Sequence, residues 1–93
     1  MKMSTAMLKG YARVGKQARG KFYIGDATKP SAVCALGAVS LGLHGTATDY
    51  CHALDGDSAT RAFCHAYGVS ITQANDRGLM IEEIAGMLQA IGA

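Results

Sequence analysis

A stretch of 19 residues, Pro30–Thr48, carries no formally charged side chain. Within it, the run Ala32–Leu43 is apolar on nearly every side of a helix, and a helix with this pattern is buried in a core. Ser, His and Gly interrupt the stretch, which favours a core helix over a membrane span. The sequence therefore predicts a buried central helix, with Pro30 in its first turn and Gly45 at its end.

The rest of the chain must cover this helix within one domain. A chain of 93 residues has room for a single hydrophobic core. Its composition, 49% hydrophobic and 17% charged, excludes an intrinsically disordered protein. Lys9 and Gly10 interrupt any apolar signal-peptide region, so we expect a cytoplasmic protein. We therefore expect one helical domain over residues 1–93.

The N-terminal segment has the period of an amphipathic helix. Between Met3 and Arg19, apolar residues recur every three or four positions on one face, and basic residues fall on the opposite face. Gly10 and Gly15 weaken this helix, and Gly20 ends it. The pattern predicts a first helix over residues 3–19 in which Gly10 is exposed.

The remaining segments complete the predicted fold. The residues Phe22–Ile24 are aromatic and β-branched, which favours a short extended segment. Tyr50–Ala53 and Phe63–Ala66 are each typical of part of a short helix, and Asn75–Gly78 predicts a polar turn. Met80–Ile91 then has the pattern of a last amphipathic helix. The predicted fold class is mainly α, a small bundle of about four helices with an extended segment near residues 22–24.

Charge is distributed unevenly along the chain. Residues 1–29 have a net charge of +6 and residues 30–93 a net charge of −4. The candidate partner-binding residues are four of the seven basic residues of this first segment: Lys9, Arg13, Lys16 and Arg19. Three interpretations are open: the residues bind an acidic partner, they form an ordinary solvated face, or the two halves of the chain attract each other.

Three cysteines and three histidines could carry metal or thiol chemistry. Cys51–His52 and Cys64–His65 would supply four zinc ligands, but adjacent helical residues point in different directions, and structural zinc ligands are usually two to four residues apart. We expect both cysteines to be core residues and both histidines to be exposed. A Cys51 to Cys64 disulfide is an alternative, although an odd number of cysteines favours reduced thiols. Cys34 is expected to be a buried thiol, and no catalytic residue, metal or cofactor is assigned.

Three segments carry a resemblance to a known family: Arg19–Tyr23, Cys34–Val39 with its Cys-Ala-Leu-Gly-Ala piece, and Asn75–Asp76 before the last helix. On these residues the chain resembles an uncharacterised family of small proteins from actinobacteria and their phages. The resemblance implies an α-rich fold and an origin on a phage or another mobile element. It implies no particular chemistry.

These observations lead to a functional hypothesis. We expect a small non-enzymatic interaction protein of phage or mobile-element type that binds a partner macromolecule. One form of this function is inhibition of a bacterial defence complex, as anti-CRISPR proteins do. The first alternative is a nucleic-acid-associated protein that uses the basic N-terminal helix, and the second is a small metal- or thiol-dependent enzyme. No membrane association is expected.

Overall fold

The computed structural model describes residues 1–47 and 58–93. In chain order, its elements are α1 (Met3–Val14), β1 (Tyr23–Gly25), β2 (Pro30–Val33), α2 (Ala35–His44), α3 (Ser58–Tyr67), α4 (Ile71–Asp76) and α5 (Ile81–Ala90). The mainly α fold class is confirmed, and β1 confirms the extended segment. The described residues form five helices and a two-stranded sheet, so a bundle of about four helices is not confirmed.

The first helix is shorter than the sequence pattern predicts. α1 ends at Val14 because Gly15 adopts a left-handed conformation with φ of 77°, and its N–H donates to the Tyr11 carbonyl at 2.8 Å. The following residues run beside β2: the Val33 N–H donates to the Lys16 carbonyl at 3.0 Å, and the Ala18 N–H donates to the Val33 carbonyl at 2.8 Å. The prediction of a helix through residue 19 is therefore wrong, because pairing with β2 replaces the helical hydrogen bonds.

The strands β1 and β2 form an antiparallel hairpin with a bulge after Ile24. Tyr23 pairs with Val33, and Gly25 pairs with Pro30. Pro30 therefore lies in a strand and not in the first turn of a helix. A proline is tolerated here because it is the first residue of the strand, where its missing N–H removes little pairing.

The central helix α2 begins later than predicted but is buried as predicted. Its N-cap is Cys34, whose sulfur accepts a hydrogen bond from the Gly37 N–H at 3.3 Å. Gly45 ends the helix in a left-handed conformation, and all residues from 35 to 42 are buried. The apolar run of the sequence is thus divided between the buried end of β2 and α2. The apolar character of this run correctly predicts that it is buried. It does not indicate which of its residues form a strand and which form a helix.

The helices α1 and α2 cross at glycines and alanines. A Cβ atom built on Gly10 would lie 1.8 Å from the carbonyl oxygen of Ala38, and one built on Gly42 would lie 2.0 Å from the carbonyl oxygen of Ala6. Gly10 is buried at this crossing, so the prediction that it is exposed is wrong. The two backbones approach so closely because neither glycine carries a side chain.

The C-terminal helices close the core from the other side. Ser70 caps α4 by accepting a hydrogen bond from the Gln73 N–H, and Gln73 accepts one in return from the Ser70 N–H. From this capping box, α4 continues through Asn75 and Asp76, where a turn was predicted. The last helix, α5, is amphipathic as predicted. Its buried residues are Ile81, Ile84, Ala85 and Leu88.

Within the two described ranges, no helix is both long enough and apolar enough to cross a membrane.

Candidate partner-binding surface

Two of the four candidate cations lie on the exposed side of α1. Lys9 and Arg13 are one helical turn apart, and both are exposed. Arg13 is near the C-terminal end of the helix, and its Nη1 donates a long hydrogen bond of 3.5 Å to the Leu41 carbonyl of α2. This contact places the guanidinium between the two helices while leaving the side chain accessible.

The other two cations, Lys16 and Arg19, follow α1 and are not on it. Both are exposed in the segment that runs beside β2. The prediction that Lys16 shares a helical face with Lys9 and Arg13 is therefore wrong, because the helix ends at Val14. We call the four exposed cations Lys9, Arg13, Lys16 and Arg19 the basic surface. None of them forms an ion pair with a carboxylate in the part of the chain that the structure describes.

A buried polar network fixes the segment that carries Lys16 and Arg19. Its centre is Asn75, which is 1% exposed. The Asn75 Oδ1 accepts hydrogen bonds from Gln17 Nε2 at 2.7 Å and from the Ala35 N–H at 3.0 Å, and its Nδ2 donates to the Ala18 carbonyl at 2.9 Å. One amide side chain thus joins the segment after α1 to α4 and to the first residue of α2.

Gln17 extends this network to the start of α5. Its Nε2 also donates to the Leu79 carbonyl at 2.9 Å, and its Oε1 accepts from the Ile81 N–H at 3.0 Å. Nearby, the Gly20 N–H donates to Asp76 Oδ1 at 2.9 Å. The backbone around Lys16 and Arg19 is therefore held by uncharged and main-chain donors, and the two cationic side chains are not needed to hold it.

The turn between β1 and β2 is stabilised by Asp26. Its Oδ1 accepts hydrogen bonds from the main-chain N–H and from the hydroxyl of Thr28, both at 2.8 Å. These bonds, the main-chain one foremost, hold the pKa of the Asp26 carboxyl below its ordinary value. The Ala47 N–H also donates to the Ala27 carbonyl at 2.8 Å, which attaches the turn to the residues after α2.

A groove of about 350 Å³ lies between the end of α1 and this turn. We call it the hairpin groove; the described residues that line it are Arg13, Val14, Thr28, Lys29, Pro30 and Leu41. It brings Lys29 to the same groove as Arg13, although Lys29 was not among the predicted site residues. The only sequence signal for Lys29 was its place in the basic N-terminal segment, and this does not indicate that Lys29 lies in the same groove as Arg13.

The two described cysteines differ in their burial. Cys34 is 6% exposed, and burial raises the pKa of its thiol, so it holds little of the reactive thiolate at neutral pH. Cys64 and His65 are both exposed on α3. The prediction of a buried Cys64 is therefore wrong, and the prediction of an exposed His65 is confirmed.

The exposure of Cys64 follows from how α3 packs. This helix buries Phe63, and the ring of Tyr67 packs against it at 4.9 Å between centroids, so the intervening residues face outward. Cys51 and His52 lie outside the described residues. In the two described ranges, no group of three or more His, Cys, Asp or Glu side chains is placed to hold a metal ion.

Comparison with known proteins does not assign this chain to a family. No protein-family profile, curated protein or solved structure matches the chain. The resemblance to a family of small actinobacterial and phage proteins stays a prediction.

Proposed function

We propose that this chain is a non-enzymatic interaction protein that binds an acidic region of a partner protein through its basic surface. One observation carries the proposal: Lys9, Arg13, Lys16 and Arg19 are all exposed, and the described residues contain no carboxylate paired with them. Exposed positive charge attracts an oppositely charged partner and accelerates association.

The backbone that carries the basic surface is held in place by contacts within the chain itself. The Gln17 and Asn75 amides anchor the segment after α1, and the α1–α2 crossing anchors the helix itself. Binding through these residues then costs mainly the ordering of long side chains, because the described backbone that carries them is already held by hydrogen bonds. This arrangement supports recognition of a protein surface by the chain as it is folded.

The resemblance to phage and actinobacterial proteins supports a more specific form of the proposal. A small protein from a phage or mobile element that occupies a surface of a host protein can act as an inhibitor. We propose a bacterial defence complex as the host target, in the manner of anti-CRISPR proteins.

The test is a capture experiment with a neutralised basic surface. Lys9→Gln, Arg13→Gln and Lys16→Gln are combined in one variant, since Gln removes the charge without placing a negative charge at the C-terminal end of α1. Arg77→Gln is the matched control, because Arg77 is exposed on the other half of the chain. Wild-type and variant proteins are immobilised and exposed to a nuclease-treated lysate of the native host.

We expect the triple variant to keep its melting temperature within a few degrees and to lose the captured partner, whereas the control retains it. Capture by the wild type should weaken as salt increases, because exposed charges are screened over about 10 Å at 0.1 M. A triple variant that captures the same partner equally well would contradict the proposal. Loss of all capture on nuclease treatment, with binding to nonspecific DNA or RNA, would favour the nucleic-acid alternative.

A further inference from the structure

The hairpin groove gives the proposed partner a definite place to bind. We propose that this groove receives a short acidic and apolar segment of the partner protein, with a carboxylate between Arg13 and Lys29. The inference rests on the function proposed above and adds the location and chemistry of the contact. Its starting observation is that one groove has a basic residue on each side, one from α1 and one from the β1–β2 turn.

The groove is apolar between these two charges. Val14 and Pro30 are half-buried and Leu41 is buried, so a ligand that enters the groove contacts hydrocarbon. An apolar partner side chain would gain free energy from removing this surface from water. Charged groups at the edge of an apolar floor set the orientation of the ligand, as in most ligand sites.

The two sides of the groove are held in position without a ligand. On one side, Arg13 belongs to α1, and its Nη1 donates a long hydrogen bond of 3.5 Å to the Leu41 carbonyl. On the other side, Asp26 fixes Thr28, and the Lys29 N–H donates to the Asp26 carbonyl at 3.2 Å. A groove that is already formed does not have to order its backbone on binding, which favours affinity for a short segment.

A protein segment fits this groove better than nucleic acid does. Nucleic-acid binding relies on a series of cations that follow the phosphate backbone. Among the described residues, the cations that line the groove are Arg13 and Lys29, which do not form such a series. A single carboxylate beside an apolar side chain matches this combination.

The test uses the full isotope-labelled chain and a capped peptide that alternates Glu and Leu, with a Gln and Leu peptide as the uncharged control. We expect amide shifts confined to Val14, Thr28, Lys29 and Leu41, and only with the acidic peptide. Lys29→Gln should weaken binding about fivefold, the effect of losing one exposed charge pair. Arg77→Gln, which removes the same charge outside the groove, should change it by less than about twofold.

Absence of shifts in the groove, or equal weakening by Lys29→Gln and Arg77→Gln, would overturn the inference. Groove shifts caused by a duplex DNA fragment and not by the peptide would overturn the choice of a protein segment. The capture experiment separates this inference from the proposed function. If Lys29→Gln binds the captured native partner with unchanged affinity and the basic-surface variant loses it, the groove assignment fails and the proposed function stands.

Discussion

Replacing Gly10 by alanine tests the packing that organises the fold. A methyl group at this position would lie 1.8 Å from the Ala38 carbonyl oxygen and 2.9 Å from the Gly42 nitrogen. Both atoms belong to the α2 backbone, so no side-chain rotation relieves the overlap. The helices must move apart by about 1 Å or more, and that movement opens the tightly packed core on both sides of the crossing.

The expected cost follows from two opposing effects. Alanine favours a helix over glycine by about 1 kcal/mol, whereas overpacking a core costs about 1 to 3 kcal/mol or more. Because the methyl group would overlap backbone atoms of the other helix, we expect a cost of about 3 kcal/mol and a net loss of about 2 kcal/mol. For a domain of this size, 1 kcal/mol shifts the melting temperature by about 4 to 8 °C, so Gly10→Ala should lower it by roughly 8 to 16 °C.

Gly86 provides the matched control. It lies within α5, is exposed, and a Cβ atom built on it would meet nothing within 4 Å. Gly86→Ala should therefore raise the stability by up to about 1 kcal/mol. Thermal melts of both variants by circular dichroism measure the contrast. If Gly10→Ala melts at or above the wild type, or if both substitutions shift the melting temperature alike, the close helix crossing is refuted.

Three further predictions concern the polar network, the hairpin turn and the thiols. Asn75→Ala leaves buried hydrogen-bonding groups without partners and should cost about 3 kcal/mol in urea unfolding; a loss below about 1 kcal/mol would contradict the network. In an NMR titration, Asp26 should have a pKa below 3.8, and Thr28→Val should raise it. Because the folded pKa is the lowered one, this carboxylate stabilises the fold above its unfolded pKa, and that contribution disappears as the pH falls through the folded value. Alkylation followed by mass spectrometry should modify exposed Cys64 quickly and buried Cys34 only on unfolding, and equal rates at the two sites would disprove the burial of Cys34.

Local sequence patterns predicted several elements of the fold because their causes are local. The apolar run predicted the burial of Leu36 and Val39, and the spacing of Ile81, Ile84 and Leu88 predicted the last helix. In each case, a side chain every three or four positions contacts the core, and this periodicity is visible in the sequence alone.

The errors came from contacts between distant residues. The sequence does not distinguish an exposed helical glycine from one that packs against another helix. Gly10 is buried because the α2 backbone packs against it. Ala32 and Val33 are as apolar as the helix that follows, and only their pairing with β1 makes them a strand. Gln17 and Asn75 are 58 residues apart, so no local pattern could show that their amides meet.

The described acidic residues bear on the third interpretation of the uneven charge, in which the two halves of the chain attract each other. Asp76 accepts hydrogen bonds from the Gly20 N–H and from Asn75 Nδ2, and Glu83 accepts one from the Met80 N–H. These carboxylates satisfy main-chain and amide donors, and in the described ranges they pair with no lysine or arginine of the first 29 residues. Among the described residues, Asp76 and Glu83 therefore accept main-chain and amide hydrogen bonds and do not neutralise the basic surface. The salt dependence of partner capture tests whether the charge of this surface contributes to binding.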